Sequence, residues 1–322
     1  MTKKSAMNAV LFVFLLTLGL SFSSCQKEGV YNPKQKISKI YVDIDYGDEM
    51  FFPKQIVQEW TWSNDKLNKV DFYGMSFYWM DDDLELENEL YQTDRYFYEK
   101  NKLVKIEHGE EYYSKLSYSG SKYKKLESFD AHNNLWLSMD FSYEKNKISK
   151  ITITQDMDID VDKVLKMRFL SSFIPKEFVS KVAKKSEESR DDGYIKTTYT
   201  VNYSYNGDNI KDVVVQIGYL GMNMEILTTK YLAHDTKQNP YYNKLEISVI
   251  EEIMFGLVTV SSKNNPLKAE VVYNENLGGA LIENVILEYT YSYVNDFPTE
   301  VIEKTTLKDG FSNTNKLYFE YQ

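Results

Sequence analysis

Cysteine is nearly absent: the 322-residue chain holds one, Cys25, so no intrachain disulfide is open to it. Proline and glycine are scarce, at 6 and 14 residues, which argues against long disordered linkers. The three histidines, His108, His132 and His234, stand far apart. They form no His-x-His or His-Glu-x-x-His spacing that would announce a metal, so no metal and no cofactor is expected. No Gly-x-Ser-x-Gly elbow, phosphate-binding loop or dinucleotide fingerprint occurs either. The apolar run from Ala9 to Leu20 spans roughly a dozen residues, too few for a membrane helix of about 20.

That run has the length of a signal-peptide core, and Lys3 and Lys4 supply the positive region before it. Leu20-Ser21-Phe22-Ser23-Ser24-Cys25 follows, which places the lone cysteine at the cut. The segment resembles the lipobox of bacterial lipoproteins, with Ser23 and Ser24 as the small residues and Phe22 in the place usually held by Leu. The resemblance implies a signal peptide over 1–24 and lipidation of Cys25. A plain secreted protein would leave this thiol unpaired, and lipidation gives it a role. Two or three acyl chains hold a protein firmly where one does not. Gln26-Lys27-Glu28 resembles the start of the charged tract that sends many Bacteroidetes lipoproteins to the outer face of the outer membrane. An ordinary flexible tether over 25–35 is the alternative. The expected location is the outer membrane, lipid-anchored, with the cell surface favoured over the periplasmic face.

Without the signal peptide 36 basic residues face 48 acidic ones, a net charge of −12. Such a chain repels phosphate backbones, so nucleic acid is excluded as a partner. The 27 tyrosines and 17 phenylalanines suit half-buried pleated surfaces, with the ring packed and the hydroxyl wet.

One pattern recurs along the chain. Two aromatic or large apolar residues separated by one are followed by aliphatic residues five and eight positions after the second. Trp60 and Trp62 lead to Leu67 and Val70, and Tyr96 and Tyr98 to Leu103 and Ile106. Leu116 and Tyr118 lead to Tyr123 and Leu126, and Phe141 and Tyr143 to Ile148 and Ile151. Tyr203 and Tyr205 lead to Ile210 and Val213, and Tyr291 and Tyr293 to Pro298 and Val301. Three residues after the second aromatic stand Asp65, Asn101, Ser121, Asn146, Asp208 and Asp296. Asn and Asp tolerate the left-handed conformation a short hairpin loop requires, so these residues are expected at turns. The motif distantly resembles the YD repeats of RHS-type proteins. It resembles more closely the tyrosine-rich repeats of Bacteroidetes lipoproteins of unknown function, with Tyr-x-Tyr-x-x-Asn-Lys-Ile and Asn-Pro turns such as Asn239-Pro240 and Asn264-Asn265-Pro266-Leu267.

Between the Phe141 and Tyr203 copies the pattern breaks. Val161, Val164, Leu165, Phe169 and Leu170 recur at helical spacing, and Pro175 opens a second stretch with Phe178, Val179 and Val182. These predict a helical insert at about 160–185, packed on the sheet or closing over a cavity. Asp156, Asp158, Asp160 and Asp162 alternate, but Val161 and Met167 stand where a calcium loop needs Gly and Glu. The tract reads as a solvated strand end that caps the helix. Asp83, Glu85, Glu87 and Glu89 alternate with leucines, as on a strand with one wet face. Met75-Ser76-Phe77-Tyr78-Trp79-Met80, with Trp60, Trp62 and Trp136, would serve either core packing or ligand stacking.

The expected fold is mainly β, a curved antiparallel meander of repeated hairpins over 36–322, either a single domain with one helical insert or two subdomains divided there. The expected function is a non-catalytic binding or interaction lipoprotein of the cell envelope, with a glycan or protein ligand. The alternatives are a carboxylate-based glycan hydrolase and an envelope structural or assembly component. A transmembrane barrel is not expected, because strands such as Lys147-Ile148-Ser149-Lys150 suit water better than lipid.

Overall fold

The computed structural model describes residues 31–45, 51–80, 83–157, 195–219, 222–242, 244, 262–274, 284–308 and 310–322. They hold sixteen strands: β1 (Ile37–Asp45), β2 (Phe51–Ser63), β3 (Lys66–Met80), β4 (Asp83–Glu99), β5 (Lys102–His108), β6 (Tyr112–Ser119), β7 (Lys122–Asp130) and β8 (Leu135–Glu144). Then come β9 (Lys147–Met157), β10 (Ile195–Asn206), β11 (Asn209–Tyr219), β12 (Met222–Gln238), β13 (Asn264–Tyr273), β14 (Val285–Val294), β15 (Phe297–Leu307) and β16 (Ser312–Tyr321). Each strand pairs with its sequence neighbour, and β1 pairs antiparallel with β16, so the meander closes into a barrel. The expected antiparallel meander of hairpins is present, and closure is the correction to it. The helical insert expected at about 160–185 lies outside the described residues, and no helix occurs among those described.

Six hairpins whose turns lie among the described residues turn through two residues, as where Glu99 pairs with Lys102 and Glu144 with Lys147. Lys100 and Asn101 (φ 45° and 67°), Lys145 and Asn146 (48° and 70°), and Asn295 and Asp296 (50° and 68°) are all left-handed. Two left-handed central residues make the type I′ turn, whose twist matches the flanking strands. In three other turns the left-handed residue comes one position earlier than expected, at Asn64, Gly120 and Gly207 rather than Asp65, Ser121 and Asp208. Glycine at two of these positions takes that conformation at no steric cost.

The five-and-eight spacing has a structural cause that alternation alone does not supply. Positions three apart fall on opposite faces of a regular strand. Here every copy carries a bulge after its turn. Tyr143 pairs with Ile148 but Ser142 pairs with Lys150, which leaves Ser149 unpaired. The extra residue brings Ile148 and Ile151 onto one face. The same shift occurs beside Trp62, Tyr98, Tyr118, Tyr205 and Tyr293.

Two further copies emerge from the register. Phe319 pairs with Ile40 and Tyr321 with Ile37, with a bulge between. The chain ends therefore form a hairpin without a turn, sealed where the Gln322 amide donates to the Lys36 carbonyl at 2.9 Å. On β12 and β13, Tyr231 pairs with Ala269 and His234 with Pro266, and residues 239–263 replace the tight turn. Eight copies thus close the ring, all with their turns at one end of the barrel.

Five of the eight copies reach the next through a lysine. Lys36, Lys66, Lys102, Lys122 and Lys147 place their ammonium groups over Trp62, Tyr98, Tyr118, Tyr143 and Tyr205 of the next hairpin. Such contacts contribute about 0.5–1 kcal/mol at exposed sites. The next hairpin answers with its phenol: Tyr118 donates to the Leu103 carbonyl (2.7 Å), Tyr205 to Ile148 (2.8 Å) and Tyr321 to Pro298 (2.7 Å).

Candidate functional site: the inner wall of the barrel

Strand alternation divides the barrel into an apolar inner wall and a charged outer one. Ile37, Val70, Leu126, Ile210 and Val213 face inward and are fully buried. Outward rows carry ion pairs: Lys105 with Glu107 (2.7 Å), Lys125 with Glu127 (2.6 Å), Lys268 with Glu288 (2.8 Å) and Lys316 with Glu300 (3.0 Å). A lipid-facing lysine costs about 2–4 kcal/mol at the middle of a membrane, so several around one girdle oppose insertion.

At the turn end the mouth is covered from inside. Tyr31, expected in the tether, is buried against Trp60 and Trp62, and its hydroxyl donates to the Pro240 carbonyl. Tyr241 packs on Trp60 and on Phe319 of β16, and Lys244 lies 4.6 Å from the Trp60 ring centre. Asn239-Pro240 lies at a turn as expected, whereas Asn264-Asn265-Pro266-Leu267 begins strand β13. Trp60 is thus a core residue, and the half-buried Trp62 and Trp136 pack against the core.

One constellation resembles catalytic machinery. Gln92 Nε2 donates to Asp94 Oδ1 (2.7 Å), and the same carboxylate meets His108 Nδ1 at 3.1 Å. His108 Nε2 lies 3.0 Å from Ser114 Oγ, which lies 2.7 Å from Ser128 Oγ. Asp, His and Ser in this order are the parts of a nucleophilic relay. Ser114 and Ser128 are 0% and 1% exposed, however, so no substrate carbonyl can reach either hydroxyl. The chain of bonds instead joins β4, β5, β6 and β7 across a buried row, where unpaired polar groups would be costly. Sequence reading missed it because the members sit on separate strands and meet only through register, Asp94 opposite His108 and Ser114 opposite Ser128.

The opposite wall is built of phenols. Tyr289, Tyr291 and Tyr293 stack along β14, with ring centres 6.3 and 5.7 Å apart. Tyr293 donates to Asp235, which also accepts from the Asn265 amide (3.0 Å). Glu303 faces inward opposite Tyr289. Burial first, then the Glu303 charge, pushes the Tyr289 and Tyr231 phenols well above their usual range, so both stay protonated. His234 stacks beside Tyr231 at 5.6 Å, and burial lowers its pKa below 6.5.

The remaining expected sites disperse. Cys25 lies outside the described residues. Of the Asp156–Asp162 tract only Asp156 lies on a described strand, opposite Lys196. The Asp83–Glu89 tract is on β4, where residues 83–92 pair only with β3, forming a two-stranded arm beyond the barrel wall. Its expected single wet face is overturned at Leu90, which is 57% exposed, because an arm has no inner side. Met75 to Trp79 belong to the same arm. No cluster of metal-ligating side chains occurs among the described residues.

No family model matches the chain, and no curated protein matches it. Among solved structures, a porin-like protein from Bacteroides uniformis matches over 92% of this chain and 100% of its own. That match has a TM-score of 0.50 and 14% identity. A porin-like protein from Bacteroides vulgatus matches with TM-score 0.42 and 9% identity, covering 90% of this chain and 99% of its own. The first likeness shows a shared fold, and the second score is too low to carry an argument.

Proposed function

We propose that the chain is an envelope lipoprotein, anchored through Cys25 to the outer membrane, whose barrel stands in water and binds a ligand within its wall. The observation that carries this reading is the direction of the polarity. A membrane pore has an apolar outer band and a polar lumen, whereas here lysine–glutamate pairs stand on the outside and most of the buried side chains are apolar. The barrel likeness to the Bacteroides uniformis porin-like protein fits an envelope role, while the charged outer wall opposes a conducting one. The cell-surface face is favoured by Gln26-Lys27-Glu28 after the cysteine.

Two measurements test this. Purified protein added to planar lipid bilayers should give no conductance steps, and stable channels would refute the water-standing barrel. In cells fed a clickable fatty acid, the native chain should incorporate label and Cys25→Ser should not. Label on the serine variant would refute the anchor.

A further inference from the structure

The eight copies differ in how tightly they close. The first aromatic position is buried at Trp60, Tyr96, Leu116, Phe141, Tyr203 and Phe319. Tyr231 and Tyr291 occupy the same position on β12 and β14 and point inward by register, yet they are only half-buried. Tyr289, two residues deeper on β14, and Glu303 opposite it share that partial exposure. The inner wall from β12 to β15 is therefore less fully covered at this level than the same position elsewhere in the ring.

The chemistry of that wall is one-sided. Phenol rings carry negative faces, and the Glu303 carboxylate lies among three of them. Lysines of these strands pair on the outer wall, Lys268 with Glu288 and Lys316 with Glu300. The Lys237 ammonium lies over the Tyr293 ring and pairs with Asp296 at the turn end.

We propose that this wall binds a small organic cation, an ammonium or quaternary ammonium group seated on Tyr231, Tyr289 and Tyr291, with Glu303 as counter-charge. Aromatic faces attract such cations most strongly where water is excluded, as on an inner wall. The proposal rests on the reading of the barrel as a water-standing binding module.

Calorimetric titration of the purified protein with tetramethylammonium, tert-butyl alcohol and glucose tests it. The alcohol has nearly the shape of the cation without its charge. Tetramethylammonium should bind, with the alcohol about tenfold weaker or worse, and glucose should give no heat. Glu303→Gln should weaken tetramethylammonium by about tenfold or more. Equal binding of the alcohol, or unchanged affinity in Glu303→Gln, overturns the proposal. If the glutamine variant does not fold, the comparison of cation and alcohol on the native chain decides alone. Absent binding from a protein that conducts no ions overturns the cation site and leaves the water-standing barrel intact. Conductance overturns both.

Discussion

The inner wall contains two sectors made from the same repeat and finished differently. From β4 to β9 the wall is closed: Tyr96, Leu116 and Phe141 are buried, and the polar row through Asp94, His108, Ser114 and Ser128 satisfies itself. From β12 to β15 the same positions hold half-exposed tyrosines, an inward glutamate and, at the second aromatic position, His234. The β14–β15 hairpin shares the backbone of the closed sector, including the bulge that aligns each aliphatic pair, whereas between β12 and β13 residues 239–263 replace the tight turn and the register shifts three times. A repeat that supplies rigidity in one sector can thus line a site in another within one fold.

The sharpest test of the contrast is a pair of truncations. Leu126→Ala, in the closed sector at 0% exposure, should cost about 2–5 kcal/mol, the transfer loss plus the cavity left behind. Tyr231→Leu, in the open sector, installs the residue type found at Leu116 and should cost less than about 1.5 kcal/mol. Urea unfolding of both measures this, and equal costs would erase the distinction between sectors.

The hairpin ends should respond alike in either sector. Asn146, at φ 70°, should accept Gly with little change, whereas Asn146→Val should cost about 1–2 kcal/mol through its β-branched clash. Thermal unfolding beside an exposed-site control checks it, and a valine as stable as the glycine would contradict the left-handed turn.

Phenols sharpen the comparison at smaller scale. Tyr118 donates to the Leu103 carbonyl at 2.7 Å, so Tyr118→Phe should cost about 1 kcal/mol. Tyr203 has no such partner, and Tyr203→Phe should be neutral or stabilising. Denaturation midpoints of the two variants separate them. The smallest effect concerns pH. Burial lowers the His234 pKa from 6.5, so the unfolded chain takes up a proton on acidification before the folded one does. Stability is therefore fully present above about pH 6.5 and falls as pH drops through the folded pKa. Urea midpoints at pH 7.5 and 5 should differ more for the native chain than for His234→Tyr.

Much of this was legible in the chain, and the losses have physical causes. Asn101 and Asn146 are at turns because turn chemistry is local. The two extra copies escaped notice because one is split between the chain ends, Ile37 and Ile40 against Phe319 and Tyr321. The other is interrupted by residues 239–263, with Ala269 and Pro266 facing Tyr231 and His234. Glu303 was one acid among 48, and only its register opposite Tyr289 marks it as inward.

By itself the sequence determined the hairpins: aromatic pairs two apart, turn residues that accept positive φ, and aliphatic residues at five and eight. These are contacts within about ten residues, whose energetics neighbouring side chains settle. Tertiary structure alone decided that the meander closes, that the aliphatic rows face inward, and which copies pack shut. Closure depends on pairing β1 with β16, whose partners Ile40 and Phe319 stand at opposite ends of the chain. No local propensity encodes such a contact, because it forms only when twist and bulge accumulated over all sixteen strands bring the two edges together.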